Sequence, residues 1–314
     1  MSMQGQGKTP DSEAFFGIRH SDVNEANLNV FGICWDRSSS YRKGASEAPP
    51  MIRAATSGKL YNSFTEQLVD LRDVWTIYDA GDVPSTVQDL DFVHREIQSL
   101  CARTPNDGRK YLFLGGDHTI TYLCTKALVS GRGERWGLLY LDSHPDLYES
   151  YGGDPYSHAC VVRRIVDEGI VPSANVLEVG VHAPTPDQLL YARDRNLRLI
   201  PASAIFAGSA ESVAADIVDY FSGRVDQIYL SVDLDVLDPA FAPGVGNPEP
   251  GGLSTRTVVE ILQRISALSI RAFDIVELCP PYDCSSVTAF AASKIIRETL
   301  GMLVRSLDRL RSQR

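Results

Sequence analysis

The chain reads as an α/β protein: a central, mostly parallel sheet with helices on both faces. Three observations predict this. Short β-type runs alternate with longer helical stretches along all 314 residues, the pattern of strands joined by covering helices. No internal repeat and no linker rich in Pro, Gly and Ser divides the chain, so one domain over 25–314 is expected, preceded by a polar arm over 1–24. Residues capable of chemistry also follow directly on apolar runs, where open α/β sheets bind their ligands.

Candidate strands are 29–33, 110–114, 137–141, 176–181, 227–236 and 271–278. Helix-like stretches at 90–101, 119–129, 212–221 and 255–265 lie between them, and 286–314 reads as a long amphipathic helix closing the sheet.

Hydrophobic residues make up 44% of the chain and charged residues 22%, a balance that suits a folded protein with a sizeable core. A formal net charge of -10 disfavours nucleic acid and anionic membranes as partners. No apolar run reaches the length of a membrane span. The start, with Asp11 and Glu13, resembles neither a signal peptide nor an organelle-targeting helix. The six cysteines show no CxxC spacing, so the expected compartment is a reducing cytoplasm.

Three clusters carry the chemistry. In the first, the apolar run Tyr111–Leu114 ends in Gly115 and Gly116, after which Asp117 and His118 emerge. A lone histidine beside a turn is ordinarily a packing residue, and this segment lacks the Gly-Lys-Ser/Thr of a phosphate loop. The second cluster follows Leu139-Tyr-Leu and alternates Asp142, His144 and Asp146. On an extended backbone that spacing turns all three side chains to one side. Taken alone, it also fits a solvated acidic loop. In the third, Asp233 and Asp235 lie two apart in an otherwise apolar run. Like charges so placed repel and lose hydration, and bound cations resolve both costs. Asp238, before Pro239, ends the strand.

Together these clusters supply four carboxylates and two imidazoles without a thiolate, a donor set that suits manganese or a similar divalent ion. It exceeds a catalytic zinc with three protein ligands. With bridging carboxylates it fits two metals ~3.5–4 Å apart.

These blocks, Gly-Gly-Asp-His, Asp-x-His-x-Asp and Ser-x-Asp-x-Asp-x-x-Asp-Pro, are similar to those of the ureohydrolases, the arginase and agmatinase family. The resemblance runs from about Tyr41 to the C-terminal helix and includes the loop 240–253. It implies a three-layer α/β/α arginase-like fold with about eight strands. It further implies two Mn2+ per subunit, one held by His118, Asp142, Asp146 and Asp233, the other by Asp142, His144, Asp233 and Asp235. In the family, a hydroxide shared by the metals attacks a guanidinium carbon and releases urea and an amine. Asp146 then matches the ligand that helps protonate the amine, and His158 the proton-shuttling or positioning histidine. Glu277 matches the carboxylate that pairs with the guanidinium, a bidentate, charge-assisted contact. A homotrimer or homohexamer is implied as well.

Tyr148 stands where arginases carry Asn, which points to the agmatinase branch and to agmatine, giving putrescine. Aminopropylagmatine, guanidino acids and formiminoglutamate follow. Ser157-His158-Ala159 departs from the usual Thr-His-Gly, and Cys279 from the usual Asn or Ser, so the far end of the substrate stays open. A free cysteine at 279 reads as a small packing residue. His20, His94 and His182 read as surface or packing residues, His182 alone lying near enough a strand end to line a site. A single-zinc deacetylase and a silent binding subunit are the rival readings.

Overall fold

The structure, a computed structural model, describes residues 14–312 except 85, 87–88, 105–107 and 130–132. Eight strands form one sheet: β1 (Leu28–Ile33), β2 (Ile77–Val83), β3 (Lys110–Leu114), β4 (Trp136–Leu141), β5 (Val176–Val181), β6 (Arg198–Pro201), β7 (Gln227–Asp233) and β8 (Ile270–Val276). Their order is β2-β1-β3-β8-β7-β4-β5-β6, and every pairing in the sheet is parallel.

Central strands β3, β4, β7 and β8 are buried almost throughout, as a sheet covered on both faces requires. Alternate residues divide between two cores. Leu139 and Leu141 of β4 join one, packed by helices Ala48–Ala55, Ala210–Phe221, Thr255–Arg264 and Val287–Ser312. Leu138 and Tyr140 join the other, under Leu90–Arg103, Thr119–Val129 and Val161–Asp167. The result is the three-layer α/β/α architecture. Among the described residues no helix is long and apolar enough to cross a membrane.

The sequence pattern missed edge strands β2 and β6, and their composition explains why. The first carries Asp79, Gly81 and Asp82, and the second is four residues ending in Pro201. Edge positions tolerate charge and proline that central strands exclude. Arg53 holds the β2 acids, its Nε lying 2.7 Å from Asp79 Oδ2 and its Nη1 2.6 Å from Asp82 Oδ1. Arg53→Met is expected to cost about 3 kcal/mol in chemical denaturation, because it leaves Asp79 buried without a counter-charge. An unchanged midpoint would show that this pair does not hold the edge.

The polar arm requires correction. Residues 1–13 lie outside the described residues, but Phe15, Phe16 and Ile18 are buried in the first core. Phe16 N donates to Thr56 O at 2.7 Å and Phe15 N to Thr56 Oγ1 at 3.1 Å. The apolar run Ala14-Phe-Phe-Gly-Ile18 was the available signal.

Candidate metal centre and active site

Strands β3, β8, β7 and β4 are consecutive in the sheet, although far apart in the chain. Their carboxyl ends therefore lie side by side. His118 follows β3, Glu277 follows β8, Asp233 ends β7 and Asp142 follows β4. The chain leaves β3, returns three places away as β4, and only later fills the gap with β7 and β8, which leaves a crevice at these carboxyl ends.

His118 is the pivot. Its Nε2 lies 2.8 Å from Ser231 Oγ, whose own hydrogen goes to Asp274 Oδ1 at 2.7 Å. Thr121 and Tyr229 occupy the other Asp274 oxygen. Ser231 therefore accepts from His118 Nε2–H, and Nδ1 is the ring nitrogen that can hold either a proton or a cation. Around that Nδ1 lie Asp142 Oδ2, Asp233 Oδ2 and the Tyr140 hydroxyl, each 2.9 Å away. Tyr140 donates to Asp146 Oδ2 at 2.6 Å. One nitrogen cannot hydrogen-bond to so many oxygens, so the cluster has the donor set of a cation site.

His118, Asp142 and Asp146 can present ligand atoms to one ion, and Asp142, His144 and Asp235 to a second. Asp142 belongs to both groups. Asp233 falls in neither but faces His118 Nδ1 as closely as Asp142 does.

Electrostatics point the same way. Burial, then Asp142, pushes Asp146 up to about 8. Burial, then Asp235 and Asp142, holds Asp233 well above the usual carboxylate range. Burial would lower His118, but Asp142 and Asp233 hold it well above an ordinary imidazole. With no cation bound, a proton on His118 is the charge nearest these acids, and a divalent ion would take its place. Asp235 is held low despite burial because His144 Nδ1 lies 3.1 Å away.

Local geometry corrects the expectation of extended backbone. Strand β4 ends at Leu141, and Asp146 sits at φ +50°, so Asp142, His144 and Asp146 converge from a turn. Strand β7 likewise ends at Asp233 and gives way to a single 3-10 turn, Leu234–Val236. Asp233 Oδ1 caps that turn by accepting Asp235 N at 2.7 Å, which aims Asp235 at the site.

Glu277, at φ +65°, is also in a conformation that costs a non-glycine residue about 1–2 kcal/mol. Its Oε1 accepts His118 N and faces His158 Nδ1, both at 2.8 Å, while Oε2 is buried and unpartnered. A Cβ on Gly246 would come within 3.0 Å of Oε2, so glycine keeps that approach open. Burial would lower His158, but Glu277, followed by Asp117 and Asp146, carries it up to about 9. Against this, Ser40 N donates to His158 Nε2 at 3.0 Å, which marks Nε2 as an acceptor. Cations on Asp146 would remove part of the upward push and leave Nε2 free to accept from the main chain.

A cavity of about 130 Å³ opens on these groups. Asp142, His144, Asp146, Asp233, Asp235 and His158 line one part, and Ser40, Tyr148, Tyr151, Gln188 and Asn247 the other. The predicted site residues thus gather at the carboxyl ends of the central strands, His118 and Glu277 lying outside the cavity lining. His182 does not line the cavity and is tied to Gly180 O and Glu249 O. Cys279 is buried, with Sγ 3.1 Å from Lys43 O. Sequence reasoning missed Ser40, Tyr151, Gln188 and Asn247, neutral residues on loops and one helix that carry no chemical signal by themselves. It also passed over Tyr140, Ser231 and Asp274, which read as ordinary strand interior.

An α/β/α sheet with a carboxylate–imidazole cluster at the carboxyl ends of its central strands defines a metal-dependent hydrolase. Residues 26–301 match the model of the arginase family, and the chain belongs to that family. It is 33% identical to proclavaminate amidinohydrolase of Streptomyces clavuligerus, over 88% of each chain. The solved structure of that enzyme superposes with a TM-score of 0.84, covering 94% of this chain and 97% of the other. Guanidinopropionase of Pseudomonas aeruginosa is 30% identical over 92% of this chain and 90% of its own. Agmatinase of Bacillus anthracis is 29% identical over 90% and 93%. The protein is therefore a ureohydrolase that cleaves guanidino C–N bonds.

Proposed function

We propose that the enzyme hydrolyses a linear guanidino compound with a cationic or neutral tail, agmatine to putrescine first, on a pair of manganese ions. The carrying observation is the cavity: four aspartates and no Lys or Arg among its described lining residues, with His158 of that lining backed by Glu277, whose Oε2 is buried and unpartnered. Such a site favours a cation and offers a substrate carboxylate no counter-charge.

His118, Asp142, Asp146 and Asp233 would hold one ion, and Asp142, His144, Asp233 and Asp235 the other. Bound there, the ions would neutralise the buried carboxylates and supply a water acidic enough to act at neutral pH. Glu277 orients the guanidinium through Oε2, its Oε1 being committed to His118 N and His158. Asp146, matched by the family resemblance to the ligand that helps protonate the amine, would pass a proton to the departing group. The family resemblance carries with it a homotrimer or homohexamer, and six free cysteines suit a reducing cytoplasm.

A second reading rests on Gln188. This side chain is 2% exposed and its Oε1 is held by Thr185 N and Oγ1, so Nε2 is a fixed neutral donor at the cavity. A guanidino acid could use it. The test is urea release with manganese, nickel or zinc from agmatine, aminopropylagmatine, arginine, guanidinobutyrate and guanidinopropionate. Agmatine should give the highest kcat/KM. A guanidino acid in first place would replace agmatine as the substrate, and no urea from any compound would overturn the whole reading.

A further inference from the structure

His158 Nε2 has an unusual environment, because both of its polar neighbours belong to Ser40. The Ser40 main-chain N–H donates to it at 3.0 Å, and Ser40 Oγ lies 2.8 Å away. A ring nitrogen that receives a backbone N–H carries no proton in the resting state, so the imidazole proton is then on Nδ1, facing Glu277 Oε1. Ser40 Oγ in turn accepts Asn247 Nδ2 at 3.2 Å, which leaves its hydrogen directed at His158.

The segment 35–44 presents Ser40 from a fixed frame. Ser38 N and Ser39 Oγ donate to Asp117 Oδ2 at 3.0 and 3.2 Å, and Asp117 N donates to Trp35 O at 2.7 Å. Trp35 Nε1 donates to Ser38 Oγ at 2.7 Å. A Cβ on Gly116 would lie 1.9 Å from Trp35 O, so only glycine lets this segment sit so close.

The main-chain hydrogen cannot be surrendered, whereas the hydroxyl hydrogen can, and Ser40 lines the cavity. We propose that the Ser40 hydroxyl relays protons between His158 Nε2 and the cavity. In the forward direction the Ser40 O–H bond breaks and an Nε2–H bond forms, while Oγ takes a proton from a water or ligand in the cavity. The return step reverses each transfer, so Ser40 ends unchanged. Ser40 is thus a positioning residue that acts through His158, and the proposal rests on taking His158 as a proton shuttle, one of the two roles the family resemblance implies for it.

The test uses the manganese-loaded full chain and the fastest compound of the urea panel. Ser40→Ala is expected to lower kcat about 100-fold, the lower end of the span for a proton-transfer group, with KM and manganese content unchanged. Ser40→Thr, which keeps a hydroxyl, should recover to within about threefold of wild type. Rate measurements in H2O/D2O mixtures should be curved for wild type and linear for Ser40→Ala. His158→Asn should cost at least as much, and adding Ser40→Ala to it should cost nothing more, since a relay to a missing base is idle. The relay is overturned if Ser40→Ala stays within about twofold of wild type, if Thr fails to restore the rate, or if the two losses multiply. A silent His158→Asn in an enzyme that still releases urea would remove the shuttle role itself, a separate failure.

Discussion

Glu277→Gln is expected to lower kcat/KM for the guanidino substrate by about two to three orders of magnitude while manganese content stays at the wild-type level. The replacement is isosteric, and its carbonyl oxygen can still accept His118 N and face His158. What changes is the other arm. Oε2, which is buried and accepts nothing in the protein, becomes an NH2 group that meets guanidinium donors with donors of its own. The loss combines a charge-assisted hydrogen bond with an unsatisfied contact, about 3–4 kcal/mol in all. Metal content is the control, because Glu277 lies in neither group of converging ligand atoms. Steady-state urea release and elemental analysis on one preparation check both halves. Activity within a few-fold of wild type would remove Glu277 from substrate binding.

Asp233→Ala is expected to take manganese from two ions per chain to below one and to abolish urea release. Asp233 has two duties. Oδ2 faces His118 Nδ1 at 2.9 Å, and Oδ1 caps the turn that aims Asp235. Losing the side chain therefore removes one carboxylate and releases another. Asp233→Asn keeps the cap and loses the charge, so it should retain more metal than the alanine variant. Retention of two ions by the alanine variant would show that Asp233 is not shared between them.

The same substitution should act with the opposite sign on the metal-free protein. Burial, then Asp235 and Asp142, raises the Asp233 carboxyl, so the folded state holds that proton over a pH range in which the unfolded chain has lost it. That contribution is fully present below the ordinary carboxylate pKa and is lost as pH rises through the raised value. At neutral pH, metal-free Asp233→Ala should therefore melt above metal-free wild type, while the manganese-loaded order reverses. A metal-free variant that melts lower would count against charge crowding at the centre.

Much of this arrangement is legible in the residues. The central strands announce themselves because burial on both faces leaves only apolar runs, and the acids and histidines are conspicuous because they interrupt those runs. What stays hidden depends on contact across the sheet. Spacing alone places Asp142, His144 and Asp146 along an extended backbone, yet a left-handed Asp146 gathers them from a turn. Asp233 and Asp235 similarly converge through a 3-10 turn. Ser40 and Asn247 matter only because folding sets them beside His158 and each other, and a serine in Ser38-Ser-Ser-Tyr41 says nothing of that. Edge strands escape notice for the converse reason: half-paired and charged, they lack the run that marks a strand.

The position of β8 has a consequence for how the molecule is made. It is the last strand in the chain, yet it lies between β3 and β7 near the middle of the sheet. Until it is seated, the strands fall into two half-sheets, β2-β1-β3 carrying His118 and β7-β4-β5-β6 carrying the aspartates. The ribosome must deliver Ile270–Val276 before those halves can be joined. Long-range closure of this kind comes late and slowly. Full ligation of an ion drawing on both halves would thus report a chain already assembled, so that the centre seals the fold and does not seed it.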